Sequence, residues 1–148
     1  MSDSSVVVDS NIVVHSFLLK QPNPYFSLVD SWLRGPIEMF APSLLRFEVA
    51  SVIWTNEKNR VIPPGGSERL LQLLKLLPIQ YSDSAQDQTR AVEFARQFSL
   101  GKAYDTHFLA VAERLSAQFW TADNRLFNAV HRHLDWVHLV SGDVAGDK

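Results

Sequence analysis

Asp9, Glu48, Asp105 and Asp123 each stand beside an apolar run, at an apparent junction between a strand and a helix. An unpaired carboxylate is costly to bury in such surroundings. One such acid would be ordinary, but four in a chain of 148 residues point to a shared partner. The natural partner of clustered carboxylates is a hard divalent cation, and all-oxygen coordination suits Mg²⁺ or Mn²⁺ rather than Zn²⁺. Packed together with no counter-ion, the four would repel one another, and some would be forced to stay protonated.

Each acid also has an ordinary reading. Asp9 closes a run of valines and could be a helix N-cap or turn residue. The alternative is a ligand at the carboxyl edge of a parallel sheet, where open α/β folds place their sites. Glu48 has Leu44, Leu45, Ser51 and Val52 as its helical neighbours. That face is mostly apolar, so the side chain is expected to point towards the core. Its ordinary role would be a salt bridge to an arginine from elsewhere in the chain. Asp105 shares a helix face with Phe108, Leu109 and Ala112, and a first-turn acid is favoured there by the helix dipole. Asp123 follows QFWTA and could simply cap the next helix. As a set, Asp9 and Asp123 are expected at strand ends on one sheet edge. Glu48 and Asp105 are expected in the first turns of helices leaving it.

The elements that must position these residues alternate. Ser4 to Asp9 is a β-branched strand with continuous apolar character, as in strands buried on both faces. A short helix is expected over 11–19, and a second from Pro24 with Asn23 as its cap. Further strands are expected at 38–41, 79–81, 118–122 and 136–140. Helices are expected at 43–60, from Ser67 to Pro78, and at 86–98, 103–117 and 124–133. Pro63-Pro64-Gly65-Gly66 is the clearest loop, and Gly101 is a candidate helix stop. Parallel strands need crossovers of a dozen or so residues, and the spacing supplies them. The reading is a three-layer α/β fold in a single domain over 1–141, with a polar tail at 142–148.

Composition narrows the function classes. A hydrophobic fraction of 46% supports one continuous core, and a net charge of −2 does not advertise nucleic-acid binding. Any such contact needs a local basic face, for which Lys102, Arg125, Arg46, Lys58 and Arg60 are candidates by proximity. No cysteine is present, which excludes disulfides, thiolate zinc sites and cysteine nucleophiles and fits a reducing cytoplasm. No signal peptide is read at the N-terminus, and no apolar run approaches the ~20 residues of a membrane span. The five histidines are scattered without an HExxH pattern, so no histidine metal site is expected. His107 is read as solvent-exposed, and Trp32 and Trp54 as core or partner-facing.

Four segments together, VVVDSNIVV, APSLLRFEVASV, AYDTHFLAVAERL and FWTADNRLFNAV, resemble the PIN domain family of small metal-dependent ribonucleases, and its VapC-type toxins in particular. They span nearly the whole chain in the family's order. The resemblance implies a central five-stranded parallel sheet flanked by helices. It implies that Asp9, Glu48, Asp105 and Asp123 are the catalytic acids and hold one or two Mg²⁺ or Mn²⁺ ions. Asp9 is the expected central ligand, Asp105 and Asp123 ligate directly or through water, and Glu48 ligates or orients the attacking water. Ser10, Asn11 and Thr121 fall where the family often has small polar residues near the metals, with Asn124 ranked below them. The function implied is metal-dependent hydrolysis of RNA phosphodiester bonds, with a cognate antitoxin as protein partner and a homodimer as the expected assembly.

Three other readings compete. A phosphoryl-accepting receiver domain would need a second acid beside Asp9 and a phosphorylated aspartate after a middle strand, where only Asp83 is found. A nucleotide-binding Rossmann domain would need GxGxxG or GxxxxGK[ST], and neither is present. A PIN-like module that binds RNA or protein without cleaving is opposed by the complete acidic set.

Overall fold

The computed structural model describes residues 2–140; the tail expected at 142–148 lies outside them. The elements in chain order are β1 (Ser2–Val8), α1 (Ser10–Leu18), α2 (Pro24–Arg34), β2 (Glu38–Ala41), α3 (Leu44–Lys58), α4 (Gly66–Leu76), β3 (Ile79–Tyr81), α5 (Ala85–Gln97), α6 (Tyr104–Leu115), β4 (Ala117–Thr121), α7 (Asn124–Val130) and β5 (Val137–Leu139). The strands form one five-stranded sheet in the order β3-β2-β1-β4-β5, and every pairing is parallel. The expected three-layer α/β architecture, a parallel sheet flanked by helices, is what forms.

β1 can take the centre of that sheet because its C-terminal half, Val6 to Val8, has no polar side chain to show to water. Val6, Val7 and Val8 are all buried. The register sets Val7 against Phe40 of β2 and Phe119 of β4. Phe94, Phe108, Phe119, Ile12 and Met39 are the largest fully buried side chains. α1 packs on α2 and α3, and α5 packs on α6. α3 buries Leu45, Val49 and Ile53, the one-turn spacing of a single inward stripe.

The topology matters for function. The chain steps outward from β1 through β2 to β3, then returns to the other side of β1 for β4 and β5. Such a reversal opens a crevice beyond the carboxyl ends of the strands flanking it. Here those strands are β1 and β4, and the residues following them include Asp9 and Asp123.

Most expected boundaries fall within two residues of the observed ones. Asn23 caps α2 as read, accepting from the Phe26 amide at 2.8 Å. Gly101 is not the helix stop. α5 ends earlier, and Ser99 takes the left-handed conformation with φ 54°. α7 stops at Val130 rather than at 133, giving way to turns before β5. Trp32 is buried and meets Trp120 edge-on at 6.2 Å, whereas Trp54 is exposed. Among the described residues, no helix is long and apolar enough to cross a membrane.

Candidate active site

Asp9 is the anchor of the crevice. It is only 3% exposed, because it directly follows the buried valines of β1 and the Asp9 amide continues the ladder to the Trp120 carbonyl at 3.0 Å. One carboxylate oxygen accepts from the Ser10 amide at 2.8 Å. The other accepts from the Thr121 hydroxyl at 2.7 Å. Asp9 is therefore the N-cap of α1, as its ordinary reading had it, but a deeply buried one.

Neighbouring side chains fix this acid relative to β4. The Thr121 hydroxyl has one hydrogen, given to Asp9, and its oxygen accepts from the Asp123 amide at 3.0 Å. Asn11 accepts from the Ala122 amide at 3.0 Å and reaches Thr121 at 3.5 Å. Ser10 has one hydroxyl hydrogen and two acid neighbours. It lies 2.9 Å from Glu48 and 3.5 Å from Asp9, so Glu48 receives the stronger bond.

Glu48 corrects its expectation in two respects. It sits in the second turn of α3, and it is half-buried at the sheet edge rather than pointed into the core. Among the described residues it makes no salt bridge; the Ser10 hydroxyl is its partner. Asp105 lies in the first turn of α6 and is half-buried. Asp123 caps α7, accepting from the Arg125 and Leu126 amides at 2.9 and 3.1 Å.

The acids feel one another. Burial pushes the Asp9 carboxyl up to about 7, and the charges of Asp105 and Glu48 add to this against the opposing Thr121 and Ser10 hydrogen bonds. Burial also raises Glu48, opposed by its Ser10 hydrogen bond and assisted by Asp105. Burial raises Asp105, with Asp123 adding to the shift and Lys102 opposing it. The four acids thus share one electrostatic neighbourhood. They do not converge further: among the described residues, no three acidic or histidine side chains are placed to hold a metal ion together. The donor chemistry, oxygen only and short of positive charge, nonetheless fits a hard cation. Mg²⁺ commonly takes one or two carboxylates and keeps several waters.

A cleft of about 510 Å³ runs beside two of these acids, Asp105 and Asp123, with Lys102 and Arg125 also in its lining. Of the expected basic residues, Lys102 and Arg125 therefore share a cleft with Asp105 and Asp123. Arg46 instead lies over the Tyr81 ring at 4.5 Å, and Lys58 and Arg60 fall at the far end of α3. Ser10, Asn11 and Thr121 join the site through the bonds above. Asn124 does not: it is exposed at the start of α7. Asp83, which looked loose in the sequence, accepts from the Ser43 amide at 3.0 Å and from the Ser43 hydroxyl, securing the start of the helix that carries Glu48. His107 is half-buried rather than exposed.

Known proteins agree with this architecture. The chain is similar in structure to a toxin–antitoxin complex from Klebsiella pneumoniae, with TM-score 0.67 and 17% identity over 93% of this chain and 99% of that one. It is similar to VapBC2 from Rickettsia felis, bound to a DNA fragment from their promoter, with TM-score 0.64 and 16% identity over 94% and 99% of the two chains. FitAcB from Neisseria gonorrhoeae gives TM-score 0.59 and 19% identity over 90% and 96%. At these identities the likeness is one of fold. No curated protein matches the chain. The PIN domain family model matches residues 6–132, most of the described chain and all four acids, and the chain belongs to the PIN domain family.

Proposed function

We propose that this protein is a Mg²⁺- or Mn²⁺-dependent endoribonuclease of VapC type, acting in the cytoplasm as the toxin of a toxin–antitoxin pair. In this reading residues 1–141 act as one domain, the protein pairs with a second copy, and an antitoxin restrains it. The observation that carries the reading is Asp9. It is buried, held by a hydroxyl and an amide rather than by a cation, and raised to about 7 in the field of two further acids. Family membership supports a nuclease, since PIN domains are generally nucleases. The toxin–antitoxin setting of the structurally similar complexes supports the partner.

Asp9 would be the central ligand of the cation, with Asp105 and Asp123 joining it directly or through bound water and Glu48 ligating it or orienting the attacking water. A divalent cation supplies an acidified water and neutralises phosphate charge. The protein's own groups do the rest. Ser10 and Thr121 keep the Asp9 carboxylate in one orientation. The Ser10 hydroxyl steers Glu48, whose raised affinity for a proton suits it to receive one from the attacking water. Lys102 and Arg125 flank Asp105 and Asp123 and bind the phosphates on either side of the scissile bond.

One observation favours a non-catalytic RNA- or protein-binding module: among the described residues, no three acidic or histidine side chains are placed to hold a metal ion together. Cleavage of total cellular RNA separates the two readings. Purified wild-type protein and Asp9→Asn are compared with Mg²⁺, Mn²⁺ or EDTA. A nuclease cuts only with metal, and Asp9→Asn loses on the order of 10²–10³ in rate, the size seen when a charge-stabilising group leaves a catalytic site. No cutting by folded wild-type protein under any of these conditions, with RNA binding retained, would establish the module instead.

A further inference from the structure

Two exposed aromatic rings adjoin the acids of the site in the chain. Phe47, beside Glu48, is 68% exposed, and Tyr104, beside Asp105, is 60% exposed. They come from different helices, α3 and α6, yet both line a single pocket of about 670 Å³. Such a volume suits a small organic group, since ligand sites run from about 300 to 1,000 Å³. The pocket is not purely apolar: Gln88, Asp83 and His107 also line it. Lys102 lines both this pocket and the cleft holding Asp105, Asp123 and Arg125. The two spaces therefore share a wall that carries a positive charge.

We propose that the pocket between Phe47 and Tyr104 is a subsite for one unstacked base of single-stranded RNA, next to the scissile phosphate. This rests on the nuclease reading above and adds to it the residues of this chain that would seat a base beside the acidic cleft. Large aromatic groups left in water cost free energy, and unpaired bases stack on such rings whatever their sequence. Amide, imidazole and carboxylate groups match the donors and acceptors of a base edge, which only an unpaired nucleotide presents fully. Lys102 on the shared wall would hold the phosphate joining that nucleotide to its neighbour in the acidic cleft. A base in a duplex has its faces and its edge already occupied and cannot enter.

Fluorescence anisotropy tests this, with labelled single-stranded RNA of random sequence and a duplex of the same length as probes. Asp9→Asn serves as the background so that bound RNA is not cut. Adding Phe47→Ala or Tyr104→Ala should weaken single-strand binding about tenfold each, within the range for losing one stacked base. Duplex binding should change by less than about twofold, since it rests on phosphate contacts. Phe47→Trp should restore single-strand binding, and melting temperatures control for folding. Single-strand binding unaffected by both alanine variants overturns the subsite, and wild-type cleavage, read separately, then leaves the nuclease intact. Equal loss for single strand and duplex also overturns it. So does a change of oligomeric state in the variants with RNA binding unchanged, which would assign the rings to a second copy of the chain. No RNA binding by Asp9→Asn overturns it too, and takes the nuclease with it if the wild type also cuts nothing.

Discussion

Asp9 and Asp87 are buried to the same degree, 3% and 2% exposed, and the fold treats them in opposite ways. Asp87 meets an arginine. Arg114 grips it with two hydrogen bonds of 2.8 and 2.9 Å, and the Ser84 amide adds a third at 3.0 Å. Arg114 is itself tied to Ser82 at 3.0 Å, and its pKa is raised chiefly by its bond to Asp87. Asp9 has a hydroxyl and an amide, and its charged neighbours are two more acids. A domain that provides an arginine for one buried aspartate has no general difficulty in neutralising them. The acid with a built-in counter-charge fastens α5 to α6. The acid without one follows β1 at the carboxyl edge of the sheet, in the field of two further acids, and it is there that the proposed cation would stand where Arg114 stands for Asp87.

The sharpest way to break the comparison is to remove the counter-charge. Arg114→Ala would leave Asp87 buried and unpaired, a change that typically costs about 3–5 kcal/mol. Urea unfolding measures it, and a loss below ~1 kcal/mol would mean that Asp87 is not held as described. The converse change should stabilise. Asp9 has its affinity for a proton raised on folding, from the ordinary 3.8 to about 7. The folded state thus favours the neutral acid. The penalty is absent below the unfolded value, grows across that window as pH rises, and is complete above it. In EDTA, Asp9→Asn should therefore be more stable than wild type at about pH 8, by up to about 4 kcal/mol. That advantage should shrink towards zero near pH 4. A stability difference independent of pH would show that burial does not disfavour the Asp9 charge.

These two aspartates also show what the sequence could reveal. The alternation of apolar strands and amphipathic helices made the fold legible, because a parallel sheet covered on both faces leaves a strong pattern. β2 and β3 were found at their observed bounds, since EMFA is closed off by Pro42 and IQY lies between Pro78 and a polar turn. Asp9 stood out for the three valines before it. Asp87 did not, although it stands three residues after Ser84, at the capping-box spacing, because nothing local announces an arginine 27 residues later. Glu48 was misplaced for a related reason. Helical neighbours give its face, but only the packing of α3 on α1 decides whether that face meets core or crevice. The pairing of Phe47 with Tyr104 is likewise invisible in sequence, for it depends on how two helices meet at one edge.

Smaller effects refine the contrast. Asp83 reaches the start of α3 from beyond β3 and acts as a distant cap. Asp83→Ala should cost about 1 kcal/mol, the usual value of a cap, as a lower midpoint in thermal unfolding. A neutral result would mean that the Ser43 contact does not secure the helix carrying Glu48. The pair between Arg34 and Asp30 marks the floor. The Arg34 side chain is 79% exposed, and Arg34→Ala should change stability by less than about 0.5 kcal/mol. A loss of several times that would show that exposure is a poor guide to the worth of a charge in this domain.

Mn²⁺ binding to the resting protein tests most directly whether the acidic edge awaits a cation. Electron paramagnetic resonance of free Mn²⁺ reads it during titration of wild type, Asp9→Asn and the surface control Asp30→Asn. The expected result is saturable binding by wild type and by Asp30→Asn, with affinity at least about tenfold weaker in Asp9→Asn. Equal binding by all three, or none by folded wild type, would contradict the assignment of Asp9 as the centre of a metal site.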